Sequence, residues 1–443
     1  MTVPTLAALE QAGFLPAEAI RRRELFRIAA AGWDATGATT VPMVAWHVPG
    51  RIEVLGKHTD YAGGRSLICA TEQGMAILAR PRADRILNVF DAGRGELRSG
   101  AVGADLEPLR GDWSNYPMTV ARRLTADFAI ERGADIAFAS DIPFAAGVSS
   151  SSALVVGTAL VLIAANGLEV DARYRTAITS PEDLGGYLGA VENGRPFREL
   201  LGSGGVGTLG GSQDQTAILC SRPNALAGYR FDPVTFEGAI PWPEGYLFVI
   251  ASSGVVAEKT GAAIDHYNDL ARLTERLTAA ARTIYDDSMT LGNALLTHLD
   301  APARIAAAVA GQGDPRLAAR LAQLAAECRV IIPGVAGALA RGDLGRFGEL
   351  VEWSQAGAEL GLRNQIAETS ALVSLARERG AVAASAFGAG FGGSVWAMVE
   401  AETAGVFASG WIDDYLRRFQ IHRGRAQAII TRPAPPAVRL DVS

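Results

Sequence analysis

A run of four serines between a glycine-containing loop and an apolar segment constrains this chain more than any other feature. The segment PFAAGVSSSSALVV, Pro143 to Val156, leads through Gly147 into residues with no polar face, so we predict a buried helix over Ala153 to Ala165. The first N–H groups of a helix lack internal partners and carry positive partial charge, which suits phosphate. Serine also caps ordinary core helices, and this segment alone leaves both interpretations open. It is not a Walker A loop, since no Gly-Lys-Ser/Thr follows.

Patterns typical of strands and helices are mixed through both halves of the chain. Together they favour an α/β or α+β protein, with a boundary near Pro223 to Glu244 where prolines and polar residues concentrate. The predicted strands are Met43–Leu55, Met75–Ala79, Ile86–Phe90, Asp135–Ala139, Tyr246–Ala251, Ala381–Phe387 and Val395–Val399. The predicted helices, besides the serine-led one, are Trp113–Arg132, Asp265–Leu291 and Pro302–Arg341.

Composition excludes several classes of protein. With 49% hydrophobic and 20% charged residues the chain can bury a core and is not intrinsically disordered. A net charge of −6 carries no basic excess for wrapping nucleic acid. Cys69, Cys220 and Cys328 are far apart, which argues against a disulfide scaffold or a zinc cluster. No segment reads as a signal peptide or as a membrane span, so we expect a cytoplasmic protein without nucleic-acid or membrane partners.

A second polar segment, PGRIEVLGKHTDYAGG, covers Pro49 to Gly64 just past a predicted strand. Charged and polar groups crowded between glycines at a strand end suit recognition of a polyhydroxylated ligand. Arg51 is a candidate for stabilising charge on a transferring phosphoryl group. A solvated charged turn is the alternative. The polar side chains singled out in this segment are Arg51, Lys57, His58, Asp60 and Tyr61.

Two further glycine-rich segments follow. Asp214 lies in GVGTLGGSQDQTAIL, between a glycine loop and an apolar stretch, where a carboxylate could act as a base or simply cap a helix.

Near the C-terminus, the segment AFGAGFGGSVWAMV spans Ala386 to Val399 and contains a GxGxxG pattern. A Rossmann fingerprint requires a helix after these glycines, and a strand follows instead. We therefore predict a glycine hairpin close to phosphates or to the serine loop.

In this order, the segments resemble the motifs of the GHMP small-molecule kinase superfamily and, within it, the galactokinases. Pro49 to Gly64 is similar to the galactokinase pattern PGR, an apolar stretch, GEHTDY and NGG. Pro143 to Leu154 is similar to the phosphate loop PxGxGLSSSAAL, and Gly388 to Gly393 to the third motif GAGFGG. Trp113 to Tyr116 is similar to WxNY, and Tyr267-Asn268 to the YN after the central strand.

The resemblance implies an α+β fold of two domains with the active site between them. The first domain, residues 1–230, would be ribosomal-protein-like and would bind sugar and ATP. The second, residues 231–443, would be ferredoxin-like. The implied reaction is ATP-dependent phosphorylation of the anomeric hydroxyl of galactose or a galactose-like sugar, with ATP and Mg²⁺ required. The small-molecule sugar would be the only partner, and the protein a monomer or weak dimer.

The resemblance also implies roles for individual residues. Asp214 and Arg51 would be catalytic, Asp214 accepting or orienting the proton of the anomeric hydroxyl. Mg²⁺ would be held by Ser151 and by Glu192 of AVENGRPF. The nucleotide would contact Gly147, Ser149, Ser150, Ser151, Ser152 and Trp113. The sugar would contact Lys57, His58, Asp60 and Tyr267.

Two departures from the galactokinase pattern raise alternatives. Lys57 stands where galactokinases carry a Glu that contacts the far end of the sugar. A cation there would suit an acidic sugar such as galacturonate, unless Lys57 merely pairs with a nearby acid. The loop between Glu192 and Asp214 is longer than usual, so the magnesium ligand could instead be Glu182, Asp183 or Glu199. Three other functions are possible for such a fold. The protein could be a non-catalytic regulator that binds sugar and ATP, or a generic nucleotide-binding structural protein. It could also be a superfamily kinase that acts on a heptose, an arabinose-like sugar, mevalonate or homoserine.

Overall fold

The computed structural model describes residues 3–38, 44–143, 147–255 and 262–442, with the backbone alone for 262–264. Met43 and residues 144–146 of the predicted serine loop lie outside these ranges. The strands are β1 Val44–Leu55, β2 Arg65–Pro81, β3 Ile86–Asp91, β4 Glu96–Ala101, β5 Ala134–Ser140, β6 Ala225–Arg230, β7 Thr235–Pro241, β8 Tyr246–Ser252, β9 Ala383–Phe387, β10 Ser394–Glu400, β11 Gln427–Thr431 and β12 Val438–Leu440.

The helices alternate with these strands in the first half of the chain and dominate the second half. They are α1 Leu6–Gln11, α2 Pro16–Ala31, α3 Asn115–Phe128, α4 Ser150–Asn166, α5 Ala172–Ala177, α6 Pro181–Asn193, α7 Gln213–Cys220, α8 Ala262–Ile284, α9 Leu291–Thr297, α10 Ala301–Val309, α11 Pro315–Ala326, α12 Ile332–Ala340, α13 Leu344–Ala356, α14 Ala367–Glu378 and α15 Ala404–Arg418.

The strands form two sheets. The first has the order β12-β1-β2-β5-β3-β4, with the β6–β7 hairpin attached to β2, and its strands pair antiparallel except for β3 with β5. The second has the order β11-β8-β10-β9 and is antiparallel throughout. We call the first sheet with the helices packed on it the first unit, and the second sheet with its helices the second unit. Helices combined with mainly antiparallel sheets in these two units confirm the α+β prediction.

The predicted domain boundary does not coincide with the division between the sheets. Residue 230 is the last of β6 and residue 231 lies in the turn before β7, and both of these strands belong to the first sheet, which reaches Pro241. The short strand β12 near the C-terminus also returns to pair with β1, with His47 opposite Val438. The division at residue 230 thus stays a prediction about domains, whereas the sheets divide after Pro241.

The serine-led helix α4 is the core element of the first unit. Val156, Ala159 and Leu162 are fully buried, as its apolar sequence predicts. A Cβ on Gly157 would overlap the Ile77 side chain of β2, so glycine lets the helix lie close to the sheet. This packing holds the first turn of α4 at one end of β1 and β2.

The predicted long helix from Pro302 to Arg341 is wrong in detail. The chain forms α10, α11 and α12, with π-helical geometry at Glu327–Ile331 between the last two. The stretch Pro315–Ala340 is long and apolar enough by composition to cross a membrane. Its apolar residues are, however, core residues: Leu317, Leu321 and Leu324 are buried in one helical cluster, and Val335 in the main core. Packing within the fold therefore accounts for its hydropathy.

Candidate functional site

A cavity lies where the first unit meets the glycine hairpin of the second. Strand β1, the turn after it, the 205–211 glycine loop, helix α7 and the loop between β9 and β10 all contribute to its walls. The lining residues are Arg51, Glu53, His58, Asp60, Glu192, Gly210, Gly211, Gln213, Asp214, Gln215, Tyr267, Gly388 and Ala389. Several residues singled out by the sequence patterns therefore share one cavity.

Arg51 and Asp214 form a direct ion pair inside this cavity. Arg51 Nε donates to Asp214 Oδ1 over 2.6 Å, and the two side chains are 5% and 15% exposed. Burial lowers the pKa of Arg51, but the adjacent Asp214 more than offsets this and raises it, so the guanidinium is charged. Asp214 is the second residue of α7, whose N-terminus favours a negative charge.

The serine loop and the glycine hairpin meet at the same place. Arg51 Nη1 donates to the Gly147 carbonyl over 2.6 Å, and the Arg51 N–H donates to the carbonyl of Val148. A Cβ on Gly147, which has φ +64°, would lie 3.5 Å from Gly393 Cα. The predicted approach of the hairpin to the serine loop is present in the structure.

The four serines differ in what they contact. Ser149 has left-handed backbone, and its hydroxyl donates to Asp214 Oδ2 instead of capping the helix. Ser150 is exposed and Ser151 half-buried at the open first turn of α4. Ser152 is buried and donates to Glu192 Oε2 over 3.2 Å and to Asp214 Oδ2 over 3.3 Å. Ser152 thus contacts Glu192 directly, and the role of Ser151 as a magnesium ligand stays a prediction.

Glu192 lies in the cavity despite the long loop that follows it. Its carboxylate accepts hydrogen bonds from Ser152 and from Gln215 Nε2, the latter over 2.7 Å. Neither Asp183, which pairs with Arg198, nor the exposed Glu199 lines the cavity, and the same holds for Glu182. No cluster of three or more His, Cys, Asp or Glu side chains suited to a metal occurs within the described ranges. One carboxylate with serine hydroxyls does fit Mg²⁺, which binds few protein ligands and completes its shell with water and phosphate.

Three of the predicted sugar contacts line the cavity together. His58, Asp60 and Tyr267 are held by the turn after β1 and by α8. Burial, followed by the nearby Arg320, lowers the pKa of His58 to about 3, so its imidazole is neutral and can donate and accept hydrogen bonds. The His58 ring lies 5.3 Å from that of Tyr267, centre to centre. Burial raises the pKa of Asp60, whose Oδ2 accepts from the Gln213 N–H.

Lys57, the fourth predicted sugar contact, is not among the residues that line the cavity. Its Nζ donates to Ser354 Oγ over 2.9 Å and to Ser385 Oγ over 2.7 Å, both in the second unit. Ser354 in turn donates to Glu327. The lysine therefore belongs to a buried polar cluster beneath the site, as in the alternative in which it pairs with a nearby acid.

Trp113 likewise does not line the cavity. Its Nε1 donates to Glu96 over 3.0 Å, and the Arg98 guanidinium lies over its ring. Its role in binding a nucleotide stays a prediction. By contrast, Asn268 of the predicted YN pair holds the glycine loop, since it accepts from the Leu209 N–H and donates to the Gly207 carbonyl.

Sequence reasoning missed several cavity residues. Glu53 follows Arg51 by two positions on β1, and the two-residue period of a strand places both on one face. That alternation could have identified Glu53. Gln213 and Gln215 flank Asp214, but a glutamine beside an aspartate carries no pattern of its own. Gly210 and Gly211 lie against Tyr267 and Asp60, a proximity that only the folded chain reveals.

Comparison with known families agrees with this geometry. The galactokinase galactose-binding signature matches residues 35–81, the GHMP kinase N-terminal domain residues 115–184 and the GHMP kinase C-terminal domain residues 335–415. These matches cover β1 with the polar turn, the serine-led helix, and the helices and strands around the glycine hairpin.

Relatives extend the similarity to most of the chain. A galactokinase of Roseiflexus sp. (strain RS-1) is 27% identical over 83% of this chain and 86% of its own length. One from Chloroflexus aurantiacus is 28% identical over 84% and 87%. The crystal structure of Lactococcus lactis galactokinase complexed with galactose shares the fold, with a TM-score of 0.73 and 22% identity over 92% of this chain and 99% of that one. The crystal structure of L. major mevalonate kinase in complex with R-mevalonate shares it more distantly, with a TM-score of 0.53 and 14% identity over 89% of this chain and 97% of that one. With these residues in one cavity and relatives matched along most of its length, the chain is a galactokinase-like, ATP-dependent sugar kinase with the GHMP kinase fold.

Proposed function

We propose that this kinase transfers the γ-phosphoryl group of ATP to the anomeric hydroxyl of galactose or of a neutral, galactose-like sugar. The observation that carries the proposal is the Arg51–Asp214 pair, which lies in one cavity with the serine-led helix start and the polar turn after β1. The galactose-binding signature over that turn supports a galactose-like ligand.

The chemistry follows from what these groups can do. Phosphoryl transfer depends mainly on positioning and on neutralising charge. Asp214 accepts or orients the proton of the attacking hydroxyl, and Arg51 both fixes Asp214 and balances charge on the transferring group. The free N–H groups at the start of α4, with Gly147 and the serine hydroxyls, hold phosphate oxygens.

Magnesium would be held by Glu192 together with a serine hydroxyl. Ser152 already contacts Glu192, and Ser151 lies one residue before it in the first turn of α4. When bound, the ion would neutralise charge on the phosphates. Gln215 and Ser152 would keep the Glu192 carboxylate oriented.

The charge of the cavity argues against an acidic sugar. Lys57, the reason for considering galacturonate, is engaged with two serines outside the cavity. Arg51 is already paired with Asp214. The walls also carry the carboxyl groups of Asp60, Glu192 and Asp214. A substrate carboxylate would meet like charges, which cost several kcal/mol when close together.

A sugar panel tests the proposal. We expect purified protein with ATP and Mg²⁺ to release ADP with galactose, at a kcat/KM at least ~100-fold above that for galacturonate. Glucose and mevalonate serve as controls for the sugar's configuration and for the wider superfamily. A preference for galacturonate, or ADP release unaffected by any sugar, would contradict the proposal, and the latter result would favour a non-catalytic regulator.

A substitution next to Asp60 tests its contact with the sugar. A Cβ on Gly211 would lie within 2.6 Å of Asp60 Cγ and would push this carboxyl out of place. We expect Gly211→Ala to raise the KM for galactose by roughly 10- to 100-fold, because a shift of about 1 Å in a positioning group has effects of this size. The KM for ATP should change little. Gly311→Ala, where a Cβ meets nothing within 4 Å, is the matched control. An unchanged KM for galactose would remove Asp60 from the sugar site.

A further inference from the structure

Glu53 is a buried carboxyl group that faces the cavity. It lies on β1, two residues after Arg51, and it is 3% exposed. Its neighbours Ile52 and Val54 point the other way, into the main core. The alternation of the strand therefore directs Glu53 toward the same space as the catalytic arginine.

The hydrogen bonding of Glu53 differs from that of the other acids around it. Asp214 accepts from Arg51 and Ser149, and Glu192 accepts from Gln215. Among the residues that the structure describes, none provides a hydrogen-bond partner for Glu53 Oε1. A buried polar atom without a partner is costly, and Glu53 lines the cavity, so a ligand group that enters the cavity can complete its hydrogen bonding.

The surrounding charges indicate which ligand group fits. Burial raises the pKa of Glu53 to about 8, although Lys57 and Arg51 oppose the shift. A carboxyl group that keeps its proton near neutral pH can both donate and accept a hydrogen bond. A sugar hydroxyl has the same two capacities, whereas a substrate carboxylate would add another acid to a cavity that already holds Asp60 and Asp214.

We propose that Glu53 is a specificity-determining residue whose carboxyl group hydrogen-bonds one particular hydroxyl of the sugar. This inference rests on the proposed function and names the group that selects its substrate. A site built to bond a hydroxyl rejects the analogue that lacks it, because the protein's buried polar atom is then left unpaired. Glu53 thus makes one hydroxyl of the sugar a requirement for phosphorylation.

Singly deoxygenated sugars test the proposal. The 2-, 3-, 4- and 6-deoxy derivatives of galactose are compared with galactose as substrates of the wild type, Glu53→Ala and Glu53→Gln. We expect Glu53→Ala to lower kcat/KM for galactose and for three of the derivatives by roughly 10- to 100-fold, the range for a hydrogen bond involving an ionisable group. For the fourth derivative, which lacks the partner hydroxyl, the same variant should change kcat/KM less than about threefold. Glu53→Gln should lie between, since a carboxamide also donates and accepts.

An equal loss for all five sugars would mean that Glu53 acts only through structure, and no loss would mean that it does not meet the sugar. Either result overturns the proposal. Glu72→Gln is the matched control, since Glu72 is a buried carboxyl of the same sheet that pairs with Arg432 outside the cavity. It should affect all five sugars alike. Thermal unfolding checks that each variant is folded, and Glu53→Gln, which preserves the shape, carries the test if Glu53→Ala does not fold.

The proposed function and the role of Glu53 can fail separately. If no sugar stimulates ADP release from the wild type, the proposed function is wrong. Calorimetric titration of the same five sugars into the wild type and the Glu53 variants then decides the second question. Affinity lost for all sugars except one deoxy derivative supports the role of Glu53, whereas equal losses, unchanged affinities or the absence of binding overturn it.

Discussion

Replacing Asp214 with asparagine should lower kcat at least ~100-fold, the usual contribution of a positioned acid–base group. The carboxylate accepts from Arg51 Nε over 2.6 Å and also from the Ser149 hydroxyl. An asparagine keeps the shape but carries no charge, and it cannot take a proton from the attacking hydroxyl. It would also leave the buried Arg51 guanidinium without its counterion. The measurement is galactose-dependent ADP release at saturating ATP and Mg²⁺.

A second buried aspartate provides the control for this experiment. Asp127 accepts from Arg123 Nε over 2.5 Å and from the Tyr187 hydroxyl, and it lies outside the cavity. Asp127→Asn therefore removes the same kind of ion pair, and we expect it to lower stability without changing kcat per folded molecule. If Asp214→Asn turned over galactose at a near-normal rate, Asp214 would not be the residue that handles the proton.

The meeting of Arg51 and Asp214 could be anticipated from the sequence only through the resemblance. The two residues are 163 positions apart, and no periodic pattern links them. Local patterns did indicate several of the elements around this pair: alternation for β1, an apolar run for α4 and glycines for the hairpin after β9. The order of the motifs then supplied what local patterns lack, namely that these elements meet around one cavity.

The direction of individual side chains could not be predicted from the sequence. Lys57 follows a bulge in the pairing of β1 with β2 between Glu53 and Leu55, and this irregularity alters which face of the chain points to the cavity. Ser151 and Ser152 are adjacent on a helix, so a rotation of about 100° decides which one meets Glu192. Neither a bulge nor the rotation of a helix can be read from residue types. They depend on how the strands and helices pack against one another in the folded chain.

Lys57→Glu, which introduces the residue of the galactokinase pattern, should destabilise this protein by about 3–5 kcal/mol, the cost of breaking a buried charge pair. Lys57 is 1% exposed, and its Nζ donates to Ser354 and Ser385, while Ser354 donates to Glu327. Burial raises the pKa of Glu327, and Lys57 opposes that shift. A third buried carboxyl beside Glu327 and Glu53 would remove the compensating cation and add repulsion. The measurement is the midpoint of urea unfolding.

Two further variants separate this explanation from a general intolerance of change. Arg346→Glu reverses a charge that is 48% exposed and paired only with Glu349 in the described part of the chain, so it should cost no more than about 1 kcal/mol. Adding Glu327→Gln to Lys57→Glu removes one of the crowded carboxyl groups and should recover part of the lost stability. A Lys57→Glu protein as stable as the wild type would show that the cluster does not depend on the lysine's charge. The new glutamate would then be free to turn into the cavity, and the galactokinase pattern and this chain would differ there in residue type but not in architecture.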